Sequence, residues 1–139
     1  MANSTTDQNL ADRYLRYNEL CNAHAFDHLS EYVEGDVRVN SQPQGLADYT
    51  AGLQQVVAAF PDYRWRLEHL IVNHPMLAAH FTDTGTHTGE PFLGVPASGR
   101  AVRTAEFAIY DWSGGLIREV WVTTDRLDVL AQLKGGRGS

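Results

Sequence analysis

Apolar residues recur every three or four positions through most of the first sixty residues and every second position through much of the rest. From 7 to 23, Leu10, Tyr14, Tyr17 and Cys21 follow helical spacing, and Asp7 stands where an N-cap belongs. Residues 26–33 predict a second, short helix with Phe26, Leu29 and Val33 on one side. Residues 36–42 alternate like a strand. Residues 46–60 predict a third helix, closed by Pro61 because the residue before a proline disfavours the helical region.

Beyond Pro61 the period falls to two. In 63–72, Trp65, Leu67, His69 and Ile71 alternate with Arg64, Arg66 and Glu68. From Leu77 the odd positions read Ala79, Phe81, Asp83, Gly85 and His87, so a core-like face runs into a carboxylate and an imidazole; His80 falls on the opposite face. Residues 89–100, rich in Gly and Pro, predict a loop. Residues 101–112 and 116–124 predict two strands joined at Ser113-Gly114-Gly115, and Asp125 is expected to cap a short helical segment over 126–133. Helices first and antiparallel strands afterwards predict one α+β domain over 1–139, with helices packed on one sheet face and mobile ends at 1–6 and 134–139.

Composition narrows the chemistry. A net charge of -6 argues against a nucleic-acid partner. No apolar run reaches the roughly 20 residues of a membrane helix. The start lacks a secretory pattern, so the expected location is the cytoplasm. Lys134, the only lysine, sits in the tail, which removes Schiff-base chemistry. Cys21 is the only cysteine and reads as a small core residue. The six histidines, His24, His28, His69, His74, His80 and His87, are scattered without a third ligand at metal spacing, so no metal is expected.

The remaining candidates are titratable residues on strand faces. If the odd face after Leu77 and the even face Thr104, Glu106, Ala108, Tyr110 and Trp112 line one cavity, Asp83, His87, Glu106 and Tyr110 converge. Burial there would raise a carboxylate's pKa toward the range that suits a general acid or base. The plainer readings are that His87 is a structural hydrogen-bonder and that Asp83 is exposed or pairs with Arg100 or Arg103. Tyr14 and Tyr17 read as core aromatics with polar tips, and Trp65, Phe92 and Trp121 as packing or pocket-lining residues.

Three stretches, "AAFPDYRWRLEHL" (58–70), "TGTHTGEPFLGVPASGRAV" (84–102) and "GGLIREVWVTTDRLDVLAQL" (114–133), together resemble the SnoaL-like polyketide cyclases of the nuclear-transport-factor-2-like superfamily. The resemblance implies a cone-shaped, strongly curved antiparallel sheet around a deep pocket closed by the N-terminal helices. It also implies cofactor-free chemistry such as ring closure, isomerisation, dehydration or epoxide opening. Asn40 lies near where the family places an asparagine that orients a substrate carbonyl. Val120 and Val122 stand where the cyclases usually read His and Asp, the Asp being their acid/base residue, and Ala108 falls at or near another family histidine.

A valine moves no proton, so catalysis is expected to have shifted to neighbouring strands. Asp83 and Glu106 would carry protons, His87 and Asn40 would polarise an oxygen, and Tyr14, Tyr17, Trp65, Phe92 and Tyr110 would shape walls around a polycyclic or polyketide-derived molecule. The alternatives are a ligand carrier or accessory subunit without its own chemistry, and a dimerisation module. Arg64, Arg66, His80, Glu119 and Trp121 form a candidate surface for the homodimer that the resemblance implies.

Overall fold

In a computed structural model of the protein, residues 4–135 are described. Helix α1 (Thr5–Asn22) buries Leu10, Tyr14, Tyr17 and Cys21 along one stripe, as their spacing predicts. Its cap is Ser4 rather than Asp7: the Ser4 hydroxyl accepts from the Asp7 N–H at 3.0 Å. That leaves the Asp7 carboxylate free to accept from the His74 N–H at 2.9 Å, which ties the start of α1 to a distant turn. The second predicted helix is one short 3-10 segment, Phe26–Glu31, and Val33 already belongs to a strand.

Strand β1 (Val33–Val39) thus begins earlier than its alternation suggests and is followed by the two-residue β2 (Gln42–Pro43). Helix α2 (Leu46–Ala59) ends before Phe60 and Pro61. Strands β3 (Arg64–Asn73), β4 (Met76–Thr86), β5 (Ala101–Asp111) and β6 (Ile117–Thr124) follow, and α3 (Arg126–Leu133) closes the order. Asp125 caps α3 as expected, accepting from the Asp128 N–H. Of the ends expected to be mobile, 1–3 and 136–139 lie outside the described residues, whereas Thr5 and Thr6 open α1 and Lys134 is the C-cap of α3.

The α+β architecture holds. The six strands form one sheet in the order β2-β1-β6-β5-β4-β3, which is open and has β2 and β3 at its edges. It departs from a purely antiparallel sheet at one place, because β1 runs parallel to β6. The edge of β3 is satisfied from α1: the Asn22 side chain accepts from the Trp65 N–H at 2.7 Å and donates to the Trp65 carbonyl at 3.0 Å. An amide thereby supplies the pairing that a further strand would have given.

Alternation in β4 is exact over its length, with Leu77, Ala79, Phe81, Asp83 and Gly85 buried. In β3 it fails. The register shifts between Leu67 and His69, so Trp65 is buried but His69 and Ile71 turn outward, while Leu70 and Val72 are only part-exposed. An inserted residue flips every side chain beyond it to the other face.

Candidate functional site

A cavity of about 260 Å³ lies between α1, α2 and the inner face of the sheet. Cross-strand register fixes what that face presents. Trp65, Asp83 and Thr104 form one row across β3, β4 and β5, and Leu67, Phe81, Glu106 and Thr124 form the next row. Asp83 and Glu106 are therefore diagonal neighbours, a separation that long side chains bridge.

Glu106 lines the cavity, whereas Asp83 sits behind the lining with 0% exposure. The Tyr63 hydroxyl donates to Asp83 Oδ2 at 2.9 Å, while Oδ1 is buried with no ordinary donor against it. The other polar group within hydrogen-bond reach of Asp83 is the Glu106 carboxyl. Two neighbouring carboxyl groups can hydrogen-bond only when one of them is protonated.

The electrostatics say where that proton rests. Burial raises the Asp83 carboxyl, against hydrogen bonds from Glu106 and Tyr63 that favour its charged form. Burial pushes Glu106 well above the ordinary carboxylate range, and the neighbouring Asp83 raises it further through hydrogen bonding and charge; only the Trp65 side chain opposes this. Both carboxyls are raised, Glu106 the more strongly, so the pair favours holding a proton, with Glu106 the better placed to keep it. Among the described residues no arginine lies within ion-pair distance of either, so the expected alternative of an Arg100 or Arg103 partner is not realised.

Asp62 shows how much this depends on burial. It lies near the open end of β4 and accepts from the Thr86 N–H at 2.7 Å and its hydroxyl at 2.8 Å. Its carboxyl is lowered, first by the backbone hydrogen bond.

His87 is buried but does not line the cavity. Its Nδ1 accepts from the Ser98 N–H at 3.2 Å, which leaves Nε2 to donate to the Glu90 carbonyl at 2.9 Å. Both nitrogens are committed to the loop between β4 and β5, and the ring packs on Phe60. The catalytic expectation for His87 gives way to the structural one. The glycines around it have the same purpose. A Cβ at Gly85 would come within 2.9 Å of Phe60 Cβ, and one at Gly89 within 1.9 Å of the Ala58 carbonyl. The Gly-Thr-His-Thr-Gly step thus lets a loop dock on the end of α2 and locks it there.

Asn40 also departs from expectation. It follows β1 with a φ of 51°, and its side-chain carbonyl accepts from the Val122 N–H at 2.9 Å, extending the pairing along β6. It borders a groove on the outer sheet face, not the cavity. Tyr14, Tyr17, Trp65, Phe92 and Tyr110 all line the cavity as predicted, as do Val120 and Val122. Trp121 faces the outer groove.

The sequence reading missed Tyr63 and Tyr49. Tyr63 shares parity with Trp65 and was legible as an inward position just ahead of β3. Tyr49 lies in the first turn of α2 and gave no distinguishing signal. Cys21 borders the cavity, but burial pushes its thiol up to about 12, which keeps it from acting as a nucleophile at neutral pH.

The comparisons agree with this geometry. The family model for SnoaL-like polyketide cyclases matches residues 11–133. A SnoaL-like polyketide cyclase from Agrobacterium tumefaciens str. C58 is 35% identical, with a TM-score of 0.78 over 89% of this chain and 97% of its own. A protein assigned to the same group from Jannaschia sp. CCS1 has a TM-score of 0.86 at 21% identity, covering 96% of each chain. IdmH of Streptomyces antibioticus, assigned as a polyketide cyclase, has a TM-score of 0.78 at 23% identity, over 89% of this chain and 97% of its own. At those lower identities the likeness is one of fold. A search of curated proteins finds no match. With a family match across most of its length and a SnoaL-like relative at 35% identity over 89% of the chain, the chain belongs to the SnoaL-like polyketide cyclases.

Proposed function

We propose that this protein is a cofactor-free acid/base enzyme that moves protons on a polyketide-derived or related polycyclic intermediate, in ring closure or a related isomerisation, dehydration or epoxide opening. The observation that carries the reading is the Glu106–Asp83 pair at the cavity wall: Asp83 is fully buried, both carboxyls are raised by desolvation, and among the described residues no arginine pairs with either. A structural carboxylate is normally paired or solvated. A protonated one facing a cavity is where acid/base chemistry is done.

In this mechanism the cavity-facing oxygen of Glu106 takes a proton from a carbon next to a ligand carbonyl. Its own shared proton passes to Asp83 as the new O–H bond forms. The pair is then neutral, the electron pair rests on the ligand as an enolate, and reversal of the shift returns a proton to the product. Tyr63 holds Asp83 in line through its hydrogen bond. Val122 pairs across from Ala108, diagonal to Glu106, so the acid reaches the same region of cavity from the adjacent strand. This supports the relocation of catalysis that the two valines imply.

A bicyclic ketone such as 2-tetralone tests the reading without knowledge of the natural substrate. The protein should accelerate exchange of its α-protons with deuterium oxide, and Glu106→Gln or Asp83→Asn should each reduce that rate by roughly 10²–10⁴-fold. Exchange unchanged in both variants would leave the cavity a binding site without chemistry.

We also propose that the protein is cytoplasmic and acts as a homodimer. The outer sheet face supports association: Ile71, Phe107 and Ile109 are 69%, 54% and 47% exposed around a shallow groove. Of the expected interface residues, His80 and Trp121 border this groove, although its apolar centre was not among them.

A further inference from the structure

Four phenols from three elements meet in the cavity. Tyr14 and Tyr17 come from α1, Tyr49 from α2 and Tyr110 from β5, and all four line the space. Tyr14 donates to the Tyr110 hydroxyl at 3.1 Å, and the Tyr17 and Tyr49 hydroxyls share a hydrogen bond at 2.5 Å. The Tyr110 ring lies 5.1 Å from that of Tyr14 and 6.2 Å from that of Tyr17, so the two pairs are contiguous. Burial raises all four hydroxyls above the ordinary phenol value, and each keeps its proton near neutral pH.

A proton count follows. Each phenol brings one proton and each pair uses one internally, whichever partner donates. Every pair therefore retains one O–H that nothing within the pair accepts. Beside Tyr17 the neighbouring acceptor is the Cys21 thiol, a weak one. A buried hydroxyl proton without an acceptor is costly, so water or a ligand must take it. A ligand that displaces the water without accepting oxygens of its own loses affinity.

We propose that the Tyr14–Tyr110 and Tyr17–Tyr49 pairs form a two-donor subsite for the oxygens of a carbonyl, enol or quinone group. Glu106 and Tyr110 share one face of β5 four residues apart, or about 13 Å between Cα atoms. The subsite and the acid therefore line one cavity from separate positions along the sheet, where a single ligand can meet both. This deepens the proposed function and rests on it for the identity of the reacting end.

The experiment compares two probes that differ only in acceptors: 9,10-anthraquinone-2-sulfonate and anthracene-2-sulfonate, titrated by calorimetry. The quinone should bind the native protein at least ten-fold more tightly. The double variants Tyr14→Phe/Tyr110→Phe and Tyr17→Phe/Tyr49→Phe should each weaken quinone binding roughly five- to ten-fold and leave anthracene binding within about two-fold. Equal affinities in the native protein overturn the proposal without recourse to any variant. So does a quinone that fails to bind at millimolar concentration, or an equal loss of both probes in the variants. Glu106→Gln separates the two ideas. If the acid/base reading fails, the quinone preference persists; if only the subsite fails, Glu106-dependent exchange persists while the preference is absent.

Discussion

The two faces of β4 each carry a pair of titratable side chains in contact, and the pairs behave as opposites. On the inner face the buried Asp83 meets Glu106, which is half-buried at the cavity wall. On the outer face His80 meets His69, with Nδ1 atoms 3.0 Å apart and rings stacked at 5.2 Å, and His80 stacks on Phe107. Both contacts need one proton between two like groups. Water reaches the outer pair and screens the field between its rings. The inner pair is screened less, and its proton is held against the tendency of a carboxyl to ionise. Position on the strand, and not residue type, separates a reactive pair from a surface one.

That difference can be broken most directly by rate. Glu106→Gln and Asp83→Asn should lose most of the α-proton exchange, whereas His69→Ala and His80→Ala should stay within about two-fold of the native rate. Comparable losses from the outer histidines would mean that the faces are not functionally distinct.

His87→Ala makes a second division, between buried groups that react and buried groups that hold. It leaves the Glu90 carbonyl and the Ser98 N–H without their partner. We expect a stability loss of about 2–3 kcal/mol, read as a melting temperature lower by roughly 10 °C. Exchange per folded molecule should remain well above that of Glu106→Gln. A loss as deep as that of Glu106→Gln in a fully folded His87→Ala protein would return His87 to the chemistry.

The inner pair should also carry a signature in stability against pH. In the unfolded chain both carboxyls ionise near their ordinary values, 3.8 for Asp83 and 4.5 for Glu106. The folded protein keeps a proton above that range and so binds more protons than the unfolded chain. Stability therefore falls as pH rises beyond about 4.5, by up to about 1.4 kcal/mol per pH unit, until Glu106 releases its proton. Glu106→Gln should abolish this slope. The variant should gain melting temperature relative to the native protein between pH 5 and 7.5 and gain none at pH 4. A native protein whose melting profile matches that of the variant at every pH would contradict the stored proton.

A smaller effect is expected at Tyr63. Tyr63→Phe removes one hydrogen bond from Asp83 and leaves Glu106 in place. Exchange should fall roughly ten-fold, short of the loss in Asp83→Asn, because the carboxylate loses its alignment but not its basicity.

Much of the fold was legible because binary pattern and punctuation agree along most of the chain. The strict alternation of β4 placed Leu77 through Gly85 inward and gave Asp83 away as an anomaly on a core face. The even face of β5 gave Glu106 and Tyr110 in the same manner. Where parity broke, the reading failed. The bulge between Leu67 and His69 reverses β3, and no glycine or proline marks it. Asn40 was misplaced because its role is set by a left-handed turn and by the β6 backbone, neither of which alternation encodes. His87 shares parity with Asp83 but lies one position beyond the end of β4, where the chain turns into the loop and the ring follows it. The parallel pairing of β1 with β6 is a long-range choice without local signal.

The most direct test of the central claim asks for the proton itself. Carbon-13 labelling of glutamate side-chain carboxyls, with resonances assigned through Glu106→Gln, should show one glutamate still protonated at pH 7, with a chemical shift that moves in Asp83→Asn. If the Glu106 carboxyl instead titrates as an ordinary exposed glutamate and is fully ionised at pH 7, the shared proton does not exist and the acid/base account falls with it.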